Sequence, residues 1–143
     1  MKLEKILNEN IADFAVLYFK LHRFHWFVQG PAFYNFHKLY EELYDETTAL
    51  VDEFAERLLT IGGTPAATMK SYLALSGISE EGNEITPQDI AKTLKKDFEH
   101  VVSRLKAGIE VAEEEKDQVT ADLFIGTIGQ LEKHLWMINQ SLK

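Results

Sequence analysis

The chain has 143 residues, with 23 Asp plus Glu against 15 Lys plus Arg, a net charge of −8 and no cysteine. That length suits one domain with a real core, and the missing thiols exclude disulfide frameworks, thiolate zinc sites and cysteine nucleophiles. The carboxylate surplus argues against wrapping nucleic acid and toward a metal cation, and no apolar run approaches the roughly 18–20 residues of a membrane span, so a cytoplasmic protein is expected.

Helical periodicity fills the stretches between the Gly and Pro residues, and nothing alternates as a strand would. The first helix is predicted over residues 3–27, with Ile6, Ile11, Phe14, Ala15, Tyr18 and Leu21 on its apolar side. The second covers residues 33–61 and stops at Gly62-Gly63, glycine being the residue that most easily turns the chain out of a helix. Between them and the third helix lies a long connection whose Met69, Tyr72, Leu73 and Leu75 suggest a short helix of its own. Thr86-Pro87 supplies an N-cap and first helical residue for the third helix, to about residue 114. The fourth runs over residues 116–142. Gly108, Gly126 and Gly129 weaken the last two helices, which suggests close approach of another helix at those points. An antiparallel four-helix bundle with one long crossover is the economical packing.

The second helix carries the main candidate chemistry. At about 100° per residue, His37, Glu41, Asp45, Thr48, Asp52 and Glu56 fall within one arc of about 100°. Phe36, Leu39, Tyr40, Leu43, Leu50, Val51, Phe54 and Leu58 form the apolar stripe on another side. Most carboxylate stripes are solvated outer faces. Here His37/Glu41 and Asp52/Glu56 are each spaced i, i+4, and imidazole with carboxylate suits iron or zinc. Glu41 and Asp52 nevertheless lie about 16 Å apart along the axis, too far for one metal or a bimetal pair. A two-fold axis near Glu46, pairing this helix antiparallel with its copy, would bring each His37/Glu41 pair to the partner's Asp52/Glu56.

His25 ends the first helix in Phe24-His25-Trp26-Phe27-Val28. Alone it reads as a helix cap or a core residue more readily than as a ligand, but the short turn at Gly30-Pro31 returns the chain so that it lies near His37. Trp26 is most simply packing. His22, His100 and His134 lack an equally good carboxylate set and are expected to be structural or surface residues. Arg57 and Lys38 are expected in helix-surface ion pairs. An intrasubunit di-iron centre would need Glu-x-x-His motifs, and the nearest approach is Asp97-x-x-His100.

The run His25-Trp26-x-Val28-x-Gly30, followed after five residues by Phe36-His37-x-x-x-Glu41, resembles a signature of the Dps family of ferritin-like mini-ferritins. Val51-Asp52-Glu53-Phe54-Ala55-Glu56-Arg57 with Ile61-Gly62-Gly63 is similar to a second, and Glu132-Lys133-His134-Leu135-Trp136-Met137 is also familiar from it. The resemblance spans nearly the whole chain. It implies an all-α, ferritin-like four-helix bundle forming one domain over residues 1–143, with a short helix between the second and third. It further implies a homododecameric shell built from two-fold dimers, with Fe(II) oxidised at intersubunit sites, usually by hydrogen peroxide, and ferric mineral stored inside. His25, His37 and Glu41 would come from one subunit and Asp52 and Glu56 from the other, with zinc or another divalent metal as an alternative occupant. Many members have Asp where this chain has Glu41.

Members that bind DNA directly often carry a Lys-rich tail before the first helix, for which Lys2 and Lys5 are too few. Twelve copies at −8 give −96, a shell that repels phosphate unless Mg²⁺ bridges the two. Protection of DNA by removing iron and peroxide is therefore favoured over a DNA-binding nucleoid protein with little ferroxidase activity. Asp122 on the fourth helix is a candidate for an acidic channel guiding iron inward.

Overall fold

A computed structural model describes residues 2–143. Five helices follow one another: α1 (Lys2–Phe27), α2 (Phe33–Thr60), α3 (Met69–Leu75), α4 (Pro87–Glu114) and α5 (Gln118–Ser141), with no strand among the described residues. The architecture is a four-helix bundle with one extra short helix.

Inter-helix bonds fix the topology. Asn8 and Glu4 near the start of α1 bond Thr64 just past the end of α2, so these two helices are antiparallel. Asp13 meets Arg104 while Lys20 meets Asp97, so α1 and α4 also run in opposite directions. Hence α2 and α4 are parallel, and the crossover must travel the length of the bundle. It reaches the far end where the Gln29 N–H donates to the Ile85 carbonyl at 2.7 Å. Arg57 to Asp117 and Glu46 to Gln130 and His134 then lock α2 antiparallel to α5.

Each helix buries one apolar stripe. On α2 it is Tyr40, Leu43, Leu50, Phe54 and Leu58, with Thr47 closed in by donating to the Leu43 carbonyl at 2.7 Å. Phe36, Leu39 and Val51 are half-buried at its edges. Fully enclosed Phe14, Phe24, Phe54, Phe98 and Phe124 fill the centre, and Phe14 meets Phe54 edge-on at 5.1 Å. Burial of such rings is the dominant favourable contribution to folding.

Local chemistry sets the helix ends. Gly62, at φ 92°, puts α2 into a left-handed exit, with Gly63 N–H bonding the Leu58 carbonyl and Gly62 N–H that of Leu59. Thr86 caps α4 by accepting from the Asp89 N–H, with Pro87 first in the helix. Asp117 caps α5 through the Thr120 N–H.

The expected close approaches hold at one glycine and fail at two, and the expected short helix is present. Gly108 does sit at a close helix approach, since a Cβ there would lie 2.8 Å from Phe124 and 3.0 Å from Ile6. Gly126 and Gly129 have no atom that close, because they lie on the exposed side of α5. The short helix α3 exists, but it buries no residue completely: Met69 and Leu73 point outward while Tyr72 and Leu75 are half-buried.

Candidate metal centre

The turn over residues 28–32 brings the last turn of α1 against the first turns of α2. His25 is buried, His37 is half-buried, and their rings stack with centroids 3.6 Å apart and planes 13° apart. Each ring is tied to the other residue's backbone: His25 Nδ1 donates to the His37 carbonyl at 2.6 Å, and His37 Nδ1 to the His25 carbonyl at 2.7 Å. A carbonyl oxygen can only accept, so both Nδ1 atoms carry the proton. In the neutral rings both Nε2 atoms are then bare lone pairs, the form in which imidazole binds a metal. The His25 carbonyl is available because it belongs to the last turn of α1, where helix carbonyls lack an i+4 partner.

Glu41, one turn beyond His37, holds its Oε1 3.9 Å from His25 Nε2 and is half exposed. Tyr44, another turn along, stands perpendicular to His25 at 5.4 Å, while Phe33 stacks on the outer side of His37 at 5.0 Å. Desolvation raises the Tyr44 phenol above its usual range, and the charges of Glu41 and Asp45 add to the effect. The phenol is therefore neutral at physiological pH.

Asp52 and Glu56 lie on the same helix with both side chains exposed. About 16 Å of helix rise separates Asp52 from Glu41, so the chain does not bring them to the histidines. Among the described residues, no three His, Asp or Glu side chains converge as a metal cage would require. One chain therefore presents two imidazoles and a carboxylate at one end of α2, and two further carboxylates displaced along it.

Two of the other three histidines pair with a carboxylate across helices. His100 Nε2 lies 3.2 Å from the fully buried Asp13, and His134 Nε2 contacts Glu46, so both have carboxylate partners on neighbouring helices. Spacing along one helix could not find these pairs, because the partners lie 87 and 88 residues away. His22 has no carboxylate partner among the described residues; its Nδ1 donates to the Tyr18 carbonyl at 2.8 Å and its ring lies flat on Tyr44 at 3.7 Å. Arg57 does not pair along α2 but crosses to Asp117 and Thr120 of α5. Lys38 lies over the Tyr34 ring rather than in an ion pair. Asp122 is exposed on α5.

Among the described residues, Asp13 is the one buried acid that the sequence pattern did not single out. Its Oδ1 accepts from the Ser76 hydroxyl and the Gly77 N–H, and its Oδ2 from Arg104 at 3.1 Å. This cluster ties the end of α3 to α1 and α4. Lys20 and Asp97 form a second buried ion pair at 2.7 Å. Burial raises the Asp97 carboxyl above its usual range, with Lys20 opposing.

Comparison with known proteins adds an independent line. A ferritin-like domain family model matches residues 4–143. The "DNA protection during starvation protein 2" of Bacillus anthracis is 45% identical over 138 residues, 96% of this chain and 94% of its own. A Dps protein from Bacillus brevis superimposes with a TM-score of 0.96 at 39% identity, covering 99% of this chain and 95% of that one. A Vibrio cholerae Dps protein, described as a member of a broad superfamily of ferritin-like diiron-carboxylate proteins, gives 0.95 at 32% identity, covering 99% and 89%. No described helix is long and apolar enough to cross a membrane.

Proposed function

Because the chain belongs to the Dps family of ferritin-like proteins, we propose that it is a cytoplasmic ferroxidase that takes Fe(II) as substrate at sites shared between two subunits. In this reading His25, His37 and Glu41 of one subunit face Asp52 and Glu56 of a second across a two-fold axis, and six such dimers close a storage shell. The observation that carries it is the reciprocal backbone lock on His25 and His37. It holds both rings in the ligand-competent tautomer beside a carboxylate, with no counter-ligand from the same chain.

The residues account for the chemistry. Imidazole nitrogen with hard carboxylate oxygen suits iron, and carboxylates favour Fe(III) over Fe(II), which lowers the potential for oxidation. Two Fe(II) give one electron each to hydrogen peroxide; the O–O bond breaks, two protons are taken up and two waters form. Both electrons leave together, so no hydroxyl radical is released. Glu41 is one methylene longer than the Asp of many members and reaches further over the imidazoles. Zinc suits the same donors and would occupy the site without turnover. Asp122 is the proposed acidic guide for incoming iron. Direct DNA binding is proposed to be weak because of the net negative charge, and gel shifts with and without Mg²⁺ test it.

The decisive experiment mixes two inactive variants. His25→Ala and Asp52→Ala are each expected to lose iron-dependent peroxide consumption while assembling normally. Dissociated and reassembled together at random, they should recover about a quarter of the wild-type rate, since half the dimers then hold one intact site of two. No recovery on mixing, with mixed dimers verified by mass, overturns the shared site.

A further inference from the structure

The rings around His25 form a continuous column rather than a loose apolar pocket. Phe33 lies on His37, His37 on His25, Tyr44 stands perpendicular to His25, and His22 lies flat on Tyr44 with planes 17° apart. His22 is itself fixed, because its Nδ1 donates to the Tyr18 carbonyl one turn back. At the His22 end, the column therefore rests on a side chain that its own helix holds in place.

We propose that Tyr44 and His22 are positioning residues that fix the plane of the His25 imidazole and so the direction of its free Nε2 lone pair. The inference rests on the metal-centre reading above. A hydrogen bond at Nδ1 sets which nitrogen is free, yet the ring can still swing about that bond. Ring contacts restrict the swing: His37 lies flat on the His25 ring, and Tyr44 meets it perpendicularly from another direction. Tyr44 is held in turn by His22, which lies flat on it, and by Tyr18, which meets it edge-on at 5.8 Å. Neither residue supplies an atom to the metal. The chemistry needs only flat rings at these positions, so Phe should replace Tyr44 and an aliphatic residue of similar bulk should not. Outer partners that orient metal-binding histidines typically affect affinity by about 10–100-fold.

The test uses the assembled full-length protein with Zn²⁺, which binds without redox chemistry, and the imidazole ¹H–¹⁵N spectrum of the metal-free protein. Tyr44→Phe should bind Zn²⁺ within about threefold of wild type, whereas Tyr44→Leu and His22→Leu should each weaken it by about tenfold or more. In the metal-free spectrum both Leu variants should broaden or shift the His25 Nδ1–H signal while His134 stays unchanged. His22→Leu removes only a half-buried side chain and carries the test if Tyr44→Leu fails to assemble. Wild-type affinity and a wild-type His25 signal in the Leu variants would overturn the proposal. If wild type itself takes up no Zn²⁺, the metal-centre reading fails, and the His25 signal still decides whether Tyr44 and His22 hold the ring.

Discussion

Two polar clusters in this bundle contrast sharply. Around Asp13, a carboxylate with no exposed surface is saturated from within the chain by Ser76, Gly77 and Arg104, with His100 against it. Around His25 and His37, the two Nδ1 atoms are consumed by backbone carbonyls while the two Nε2 atoms and Glu41 are left for something else. A buried charge needs all its partners to be tolerated, so saturation marks a device that holds the fold together. Oriented lone pairs beside a half-exposed carboxylate mark a device that receives a ligand. Residue type alone does not separate the two, since both contain histidine and acid.

Breaking the first cluster should give the largest change in stability. Asp13→Ala removes the acceptor shared by the Ser76 hydroxyl, the Gly77 N–H and Arg104, leaving Arg104 only Glu9 and the Leu75 carbonyl, and is expected to cost about 3–5 kcal/mol, read by urea unfolding. His25→Ala should cost less than Asp13→Ala in the same measurement yet abolish peroxide-dependent iron oxidation. The reverse order would dissolve the contrast. Gly77→Ala sharpens it: the new Cβ would sit 2.4 Å from the His100 ring and push that ring from Asp13, for about 1–3 kcal/mol with iron oxidation preserved per folded subunit.

The smallest expected effect concerns Asp117, which caps α5 and meets Arg57. Burial alone would raise its carboxyl, but the hydrogen bonds from Thr120 and the pairing with Arg57 outweigh that and hold it below the usual range. A depressed folded value means that its contribution is present above the unfolded carboxyl range and is lost as pH falls through the folded one. Asp117→Ala should therefore cost about 1 kcal/mol near neutrality and nothing once the wild-type carboxyl is protonated, so the two acid-unfolding curves converge at low pH.

Much of this was legible in the chain. Helical periodicity, Thr86-Pro87 and Gly62-Gly63 give the four long helices to within a residue or two, because capping and burial of one stripe are local demands. The i, i+4 pairs on α2 identify the candidate ligands for the same reason. The partners of His100, His134 and Arg57 were not legible: each lies on a different helix, and only packing decides which side chains meet there. Gly126 and Gly129 misled because a glycine in a helix suggests contact whether or not a neighbour is present.

By itself the sequence determined the helices, their apolar faces and the arithmetic that keeps Asp52 and Glu56 away from His37 on one straight helix, since rise per residue is fixed by backbone geometry. Only the tertiary structure decided that His25 stacks on His37 and that each ring donates its Nδ1–H to the other's backbone carbonyl. Those bonds depend on how the turn over residues 28–32 sets α1 against α2, a relation between segments that no spacing along one helix encodes.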